Sequence, residues 1–315
     1  MLRVHVGRLT GRDAEERGVE FVDAVKVPAV LRVRLGGPFR IGIVVGFHVP
    51  AASRRLPDTA VTRAQGLPET GEVDANIPLD SVFPVYTTYT IQEADVKAIG
   101  TTPTKPSEQA KKKYLPYTSL LEFLTERYHC DPAFLTKINK GLNLDNLKVG
   151  DEVRVPNVEP FKIEELPKQG NLPDRPEYKH RVIQINRAEK MLELKDGEKL
   201  IASVPITPGS GSGSTQTPPG KWKILGIAAM PNFRWDEGVL NHGVRTETFH
   251  LLPPGPNNPV GVLWIGLNKP GIGIHGTNSP QTIGRSASHG CMRVANWDVI
   301  RLSKLITKGM KVVIQ

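Results

Sequence analysis

The stretch "KHRVIQINRAEKMLELKDGEKLIASVPITPG", which begins at Lys179, constrains the fold more than any other part of the chain. Apolar and polar residues alternate on both sides of a "KDGEK" turn, so each arm presents one face to a core and the other to solvent. An Asp-Gly pair between two such arms is a hairpin signal. The texture continues downstream. "GSGSGSTQTPPGKWKIL" reads as a loop, a Pro-Pro-Gly turn and a strand, and "NNPVGVLWIGLNKPGIGIHGT" as two strands meeting at Gly-rich turns. Only "NWDVIRLSKLIT" has clear helical spacing, and "KVVIQ" closes the chain as a strand. The expected fold of this region is mainly β, an antiparallel sheet or barrel with one late helix.

At 315 residues the chain has room for two or three such units. No run of apolar residues reaches the roughly eighteen that a spanning helix requires. Two cysteines exclude a disulfide-dense scaffold. The net charge of +9 is unevenly spread. Residues 1–63 hold eleven basic against six acidic residues, and residues 64–315 hold thirty against twenty-six. The larger part is therefore only mildly basic, and no nucleic-acid partner is expected.

The arginine-rich opening, residues 1–75, has no sustained period and forms a poorly defined N-terminal region. From Arg63, "RAQGLPETGEVDANI" resembles the closing segment of the peptidoglycan-binding helical module of cell-wall enzymes. Residues 76–113 are read as a linker with some strand character in "VFPVYTTYTIQEADV", because "TTPTKPSEQAKKK" cannot build a core. In residues 114–158, Ser119 with Glu122 reads as a capping box. Leu120, Leu121, Phe123, Leu124 and Tyr128 give a helical apolar face. Asp131 and Pro132 start a second helix, Gly141 stops it, and "DEVRVP" is a strand ending at Pro156. This pattern, with Asn139, Leu147, Gly150 and Pro156, resembles a LysM domain, a unit that binds N-acetylglucosamine polymers. Its usual opening is replaced here by "PYTSLLEF". Cys130, between the helices, is expected to be a small buried hydrophobe against Leu124 or Phe134. Residues 159–177 are a second linker.

Chemistry concentrates in "GIHGT" and "SHGCMRV". A free thiol is only a few per cent thiolate at neutral pH, so a working Cys291 needs a neighbouring base or positive charge. His289, two residues away, and His275, at the end of a predicted strand, are both candidates. Gly290 permits an unusual turn that exposes consecutive amides. Those amides, of Gly290 and Cys291 with His289 a further donor, could hold a tetrahedral oxyanion. A zinc site drawing on His275, His289 and Cys291 is the rival reading, without a recognised ligand pattern.

Residues 178–315 resemble the L,D-transpeptidase catalytic domain, or YkuD domain, through the opening strand-turn-strand, "TPPG", "GIHGT", "SHGCMRV" and the helix that follows. The resemblance implies Cys291 as nucleophile, His275 as base, and the Gly276 carbonyl as the group that orients His275. Arg293 is expected to bind a substrate carboxylate or to form a structural ion pair. Ser288 and Thr277 are placed beside the substrate, holding the loop by hydrogen bonds. Trp264 is a core residue with a second role lining the groove, as is Trp222.

The implied activity is peptidoglycan L,D-transpeptidation by a monomer with no cofactor or metal, acting on stem peptides and glycan strands in the cell envelope. The acceptor stays open between a second stem, water and a lipoprotein lysine. A non-catalytic wall-binding protein is the alternative of another class. No export signal is visible in residues 1–30, so the working protein is expected to start upstream of Met1.

Overall fold

The computed structural model describes residues 84–209, 216–242, 244–285 and 290–315. The segment resembling a peptidoglycan-binding module, within residues 1–83, lies outside them.

The first unit is built on two paired strands. β1 (Tyr86–Thr90) runs antiparallel to β2 (Glu152–Pro156), with Tyr86 opposite Pro156 and Thr90 opposite Glu152. Between them lie α1 (Glu93–Lys97), α2 (Pro106–Gln109), α3 (Leu120–Arg127) and α4 (Pro132–Ile138). Ser119 Oγ caps α3 by accepting from the Glu122 amide at 3.1 Å. The Glu122 carboxylate reaches back to the Thr118 amide and hydroxyl instead of completing the box at Ser119. Asp131 caps α4 through the Ala133 amide at 2.8 Å, with Pro132 in the first turn. Asn139 ties α4 to β2: its Oδ1 accepts from the Arg154 amide and its Nδ2 donates to the Arg154 carbonyl, both at 2.8 Å. Phe123, Leu124, Leu135, Val153 and Val155 fill the core, and Cys130 and Phe134 belong to the same buried cluster.

Two linker expectations are corrected. Residues 76–113 contain the strand on which this unit depends, because Tyr86 and Tyr89 place their rings over Phe134 and Tyr128 at centroid distances of 6.3 and 5.5 Å. Residues 159–177 are also packed. Phe161 is buried in the core of the second unit, Ile163, Leu166 and Leu172 pack against that core, and β3 (Gly170–Asn171) joins its sheet. Proline and charge masked both segments, since each is held by residues distant in sequence.

In the second unit β4 (Val182–Asn186), β5 (Met191–Asp196) and β6 (Lys199–Pro205) form the expected antiparallel meander. Gly197 makes its turn with φ +58°. There follow β7 (Gly220–Ala229), β8 (Phe233–Trp235), α5 (Glu237–His242), β9 (His250–Leu252), β10 (Leu263–Leu267), β11 (Gly273–His275), β12 (Met292–Arg293), α6 (Asn296–Ser303) and β13 (Lys311–Ile314). The sheet order is β12-β11-β10-β7-β13-β4-β5-β6, with β3 also on β7. Its pairs are antiparallel except β13 with β4 and β11 with β12. The sheet curls until its ends meet, because Thr207, just past β6, exchanges backbone hydrogen bonds of 2.9 and 3.0 Å with Arg293 of β12. The fold is mainly β, as the alternation predicts. α5 is a second helix that the spacing does not reveal.

Candidate active site

Strand pairing brings two of the expected site residues onto neighbouring strands. β11 and β12 run parallel with Ile274 opposite Met292 and His275 opposite Arg293, and Cys291 immediately precedes β12. Gly290 has φ +107°, a conformation that an L side chain rarely adopts, so the turn into Cys291 needs glycine there. Its carbonyl accepts from the buried Thr217 hydroxyl at 2.8 Å, and the same hydroxyl accepts from the Gly209 amide. Thr217 opens the "TPPG" segment, which the sequence reads as a turn and as one piece of the family resemblance.

The Cys291 thiol is partly accessible yet surrounded by protein atoms, and donates to the Gly271 carbonyl at 3.3 Å. Burial pushes it up to about 11, against the Gly273 backbone and the Arg293 charge, which favour thiolate. His275 is buried, and its Nδ1 lies 2.6 Å from the Gly276 carbonyl. A carbonyl only accepts, so Nδ1 carries the hydrogen and Nε2 keeps a lone pair. Burial lowers the His275 pKa to about 4, the Arg293 charge lowers it further, and the Gly276 carbonyl opposes both. At neutral pH both groups therefore rest uncharged, one as thiol and the other as imidazole.

The loop that holds the Gly276 carbonyl is fixed by a residue that sequence reading missed. Asn296, at the start of α6, accepts through Oδ1 from the Val262 and Thr277 amides, each at 3.2 Å. A Cβ on Gly276 or Gly261 would collide with that oxygen, so both positions need glycine to admit it. Asn296 opens the one clearly helical stretch, and its polar start reads as a helix terminus.

The remaining candidates fall as follows. Thr277 is fully buried and its hydroxyl accepts from the Ser279 amide at 3.1 Å, so it braces the loop. Trp264 stacks on His275. Trp222 packs against the core and donates to the Pro218 carbonyl at 3.3 Å. Arg293 is half-buried and its charge acts on both His275 and Cys291. Ser288 and His289 lie outside the described residues. Among the described residues no three His, Cys, Asp or Glu cluster as metal ligands. Cys130 and Cys291 are both free, and burial pushes the Cys130 thiol up.

Residues 180–314 match the family profile YkuD, described as the L,D-transpeptidase catalytic domain. The protein named L,D-transpeptidase YkuD in Bacillus licheniformis is 27% identical over 192 residues, covering 61% of this chain and 91% of that protein. Its namesake in Bacillus subtilis is 46% identical over 59 residues, covering 19% of this chain and 36% of that protein. The solved structure of the catalytic domain of the E. faecium L,D-transpeptidase is 18% identical. It covers 44% of this chain and 98% of that one with a TM-score of 0.34. The profile match spans the sheet from the strand before the hairpin to the last strand and includes both "GIHGT" and "SHGCMRV", and this chain accordingly carries a catalytic domain of the YkuD L,D-transpeptidase family.

Proposed function

We infer that the protein is a peptidoglycan L,D-transpeptidase of the cell envelope that works through a Cys291 thioester. The observation that supports this reading is the Nδ1 hydrogen bond of His275 to the Gly276 carbonyl, which leaves Nε2 with a lone pair on a strand paired with the one that follows Cys291. In the proposed reaction His275 takes the thiol proton as Sγ attacks the carbonyl of the third residue of a donor stem. The amides of Gly290 and Cys291 receive the oxyanion. Collapse breaks the bond to the terminal D-alanine, whose amine leaves with the proton held by His275. An amine of a second stem then attacks the thioester and returns Cys291 to its thiol, forming a 3→3 cross-link. Water as acceptor would make the enzyme an L,D-carboxypeptidase, and a lipoprotein lysine an anchoring transpeptidase. Arg293 supplies positive charge to the thiolate and to an approaching carboxylate. The module of β1, α3, α4 and β2 is read as LysM-like, a holder of glycan strands. Among the described residues no helix is long and apolar enough to cross a membrane.

The test is mass spectrometry of muropeptides after incubation with the purified protein. A 3→3 linked dimer with release of D-alanine is expected. Binding of wall material with no change in its peptides, and no covalent adduct with an acylating β-lactam, would instead identify a non-catalytic wall binder.

A further inference from the structure

Asn296 has a second half. Its Oδ1 accepts from two backbone amides, so its Nδ2 faces away from them, and it donates at 2.8 Å to Oε1 of Glu126, 170 residues earlier on α3. Glu126 is buried, and its other oxygen accepts from the Tyr117 hydroxyl at 2.5 Å. Both carboxylate oxygens are thus spent, one on each unit of the protein.

The contact belongs to a continuous seam. Beside Asn296, Trp297 stacks on His129 with ring centroids 4.8 Å apart. Leu115 is fully buried, donates its amide to the Pro254 carbonyl and accepts from the Asn257 amide. Asn257 Nδ2 donates to the Pro116 carbonyl and to Glu122, both at 2.7 Å. Pro116 and Glu122, both in the "PYTSLLEF" that replaces the usual opening of a LysM-like unit, contribute to this seam.

We propose that Glu126 is a positioning residue for the active site, acting from the first unit through Asn296 on the Gly276–Thr277 turn whose carbonyl orients His275. The proposal rests on the reading of His275 as the base for Cys291. Each link is a hydrogen bond between buried groups, and the receiving turn has no slack, because Gly276 and Gly261 enclose the Asn296 carboxamide. Removing the carboxylate frees the amide to rotate, and with it the anchor of the Thr277 amide. The first unit is then part of the catalytic apparatus as well as a holder of glycan.

The experiment uses the full chain and follows alkylation of Cys291 by iodoacetamide across pH, located by peptide mapping, for wild type, His275→Ala, Glu126→Ala and Glu126→Gln. Gln accepts from Asn296 and donates to Tyr117, so Glu126→Gln is expected to stay within about twofold of wild type, whereas Glu126→Ala slows alkylation about tenfold and shifts its pH profile upward. Glu126 borders a cavity of about 270 Å³, so the alanine variant extends space already present. If it does not fold, Tyr117→Phe, which frees one oxygen of Glu126, is expected to give about a threefold loss with the same shift. A folded Glu126→Ala or Tyr117→Phe protein with a lower Tm but an unchanged alkylation profile would reduce Glu126 to a structural contact and overturn the proposal. Alkylation needs no peptidoglycan, so the expected pattern without a muropeptide product defeats the transpeptidase reading alone. No effect of His275→Ala defeats the base assignment on which both readings stand.

Discussion

The Trp264 indole lies on the His275 imidazole, with ring centroids 5.3 Å apart and planes 13° from parallel. The two are direct partners across β10 and β11. The indole fits because Gly273 has no side chain; a Cβ there would approach it to 2.6 Å. This cover excludes water from the ring and is one source of the burial that depresses its pKa to about 4.

Trp264→Ala is therefore expected to raise the His275 pKa toward the ordinary range near 6.5, read by NMR titration of the imidazole carbon protons. Turnover at pH 6 falls as the base becomes protonated. A His275 pKa unchanged in the variant would show that the strands alone provide the burial.

With the thiol near 11 and the imidazole near 4, the free enzyme holds no thiolate–imidazolium pair at neutral pH. Ultraviolet absorbance at the thiolate band should show none at pH 7 and rise only in the alkaline range. Cys291→Ser and His275→Ala are each expected to lower transfer by about a thousandfold or more, with the circular dichroism spectrum unchanged. Substantial thiolate at pH 7 would move activation from His275 to a fixed charge such as Arg293.

The turn before the nucleophile is set by backbone geometry and by Thr217. Gly290→Ala forces a side chain into φ +107° and is expected to cost about 1–2 kcal/mol and most of the activity. Thr217→Val leaves both the Gly209 amide and the Gly290 carbonyl short of a buried partner, a loss of about 1–3 kcal/mol. Denaturant titration reads both. A Thr217→Val protein as stable as wild type would mean that water replaces the hydroxyl.

The legible part of this molecule was the part written in local pattern. The hairpin around Gly197 and the caps at Ser119 and Asp131 are visible because short spacing encodes them, whereas His275 and Cys291 stand out through the resemblance carried by "GIHGT" and "SHGCMRV". What escaped is long-range. Tyr86 to Thr90 show some strand character within an apparent linker, but their partner is invisible until β2 lies beside them, and Asn296 looks like a helix start until the Thr277 amide and Glu126 are both within reach. Thr277 neighbours the motif, and its hydroxyl holds the loop by a hydrogen bond from the Ser279 amide, as the sequence suggests.

Two buried carboxyls give the protein an unusual response to pH. Burial raises Glu126 from 4.5 to about 7, with Glu122 adding to the rise while Tyr117 and Asn296 oppose it. Burial likewise raises Asp298 from 3.8 to about 7, against the Arg301 charge and the Trp297 side chain. Between pH 4.5 and 7 the folded chain keeps protons on these groups that the unfolded chain has released, so stability is lost as pH rises through this window. His275 works the other way: depressed from 6.5 to about 4, it costs stability as pH falls between those values. Two groups outweigh one, and the net trend from pH 5 to 7 is a decline on the order of 1–3 kcal/mol. Glu126→Gln and Asp298→Asn each remove one falling contribution, and the double variant should reverse the slope, leaving His275 to make the protein more stable at pH 7 than at pH 5. Urea midpoints at the two pH values decide it, and identical slopes in wild type and double variant would mean that neither carboxyl is protonated in the fold.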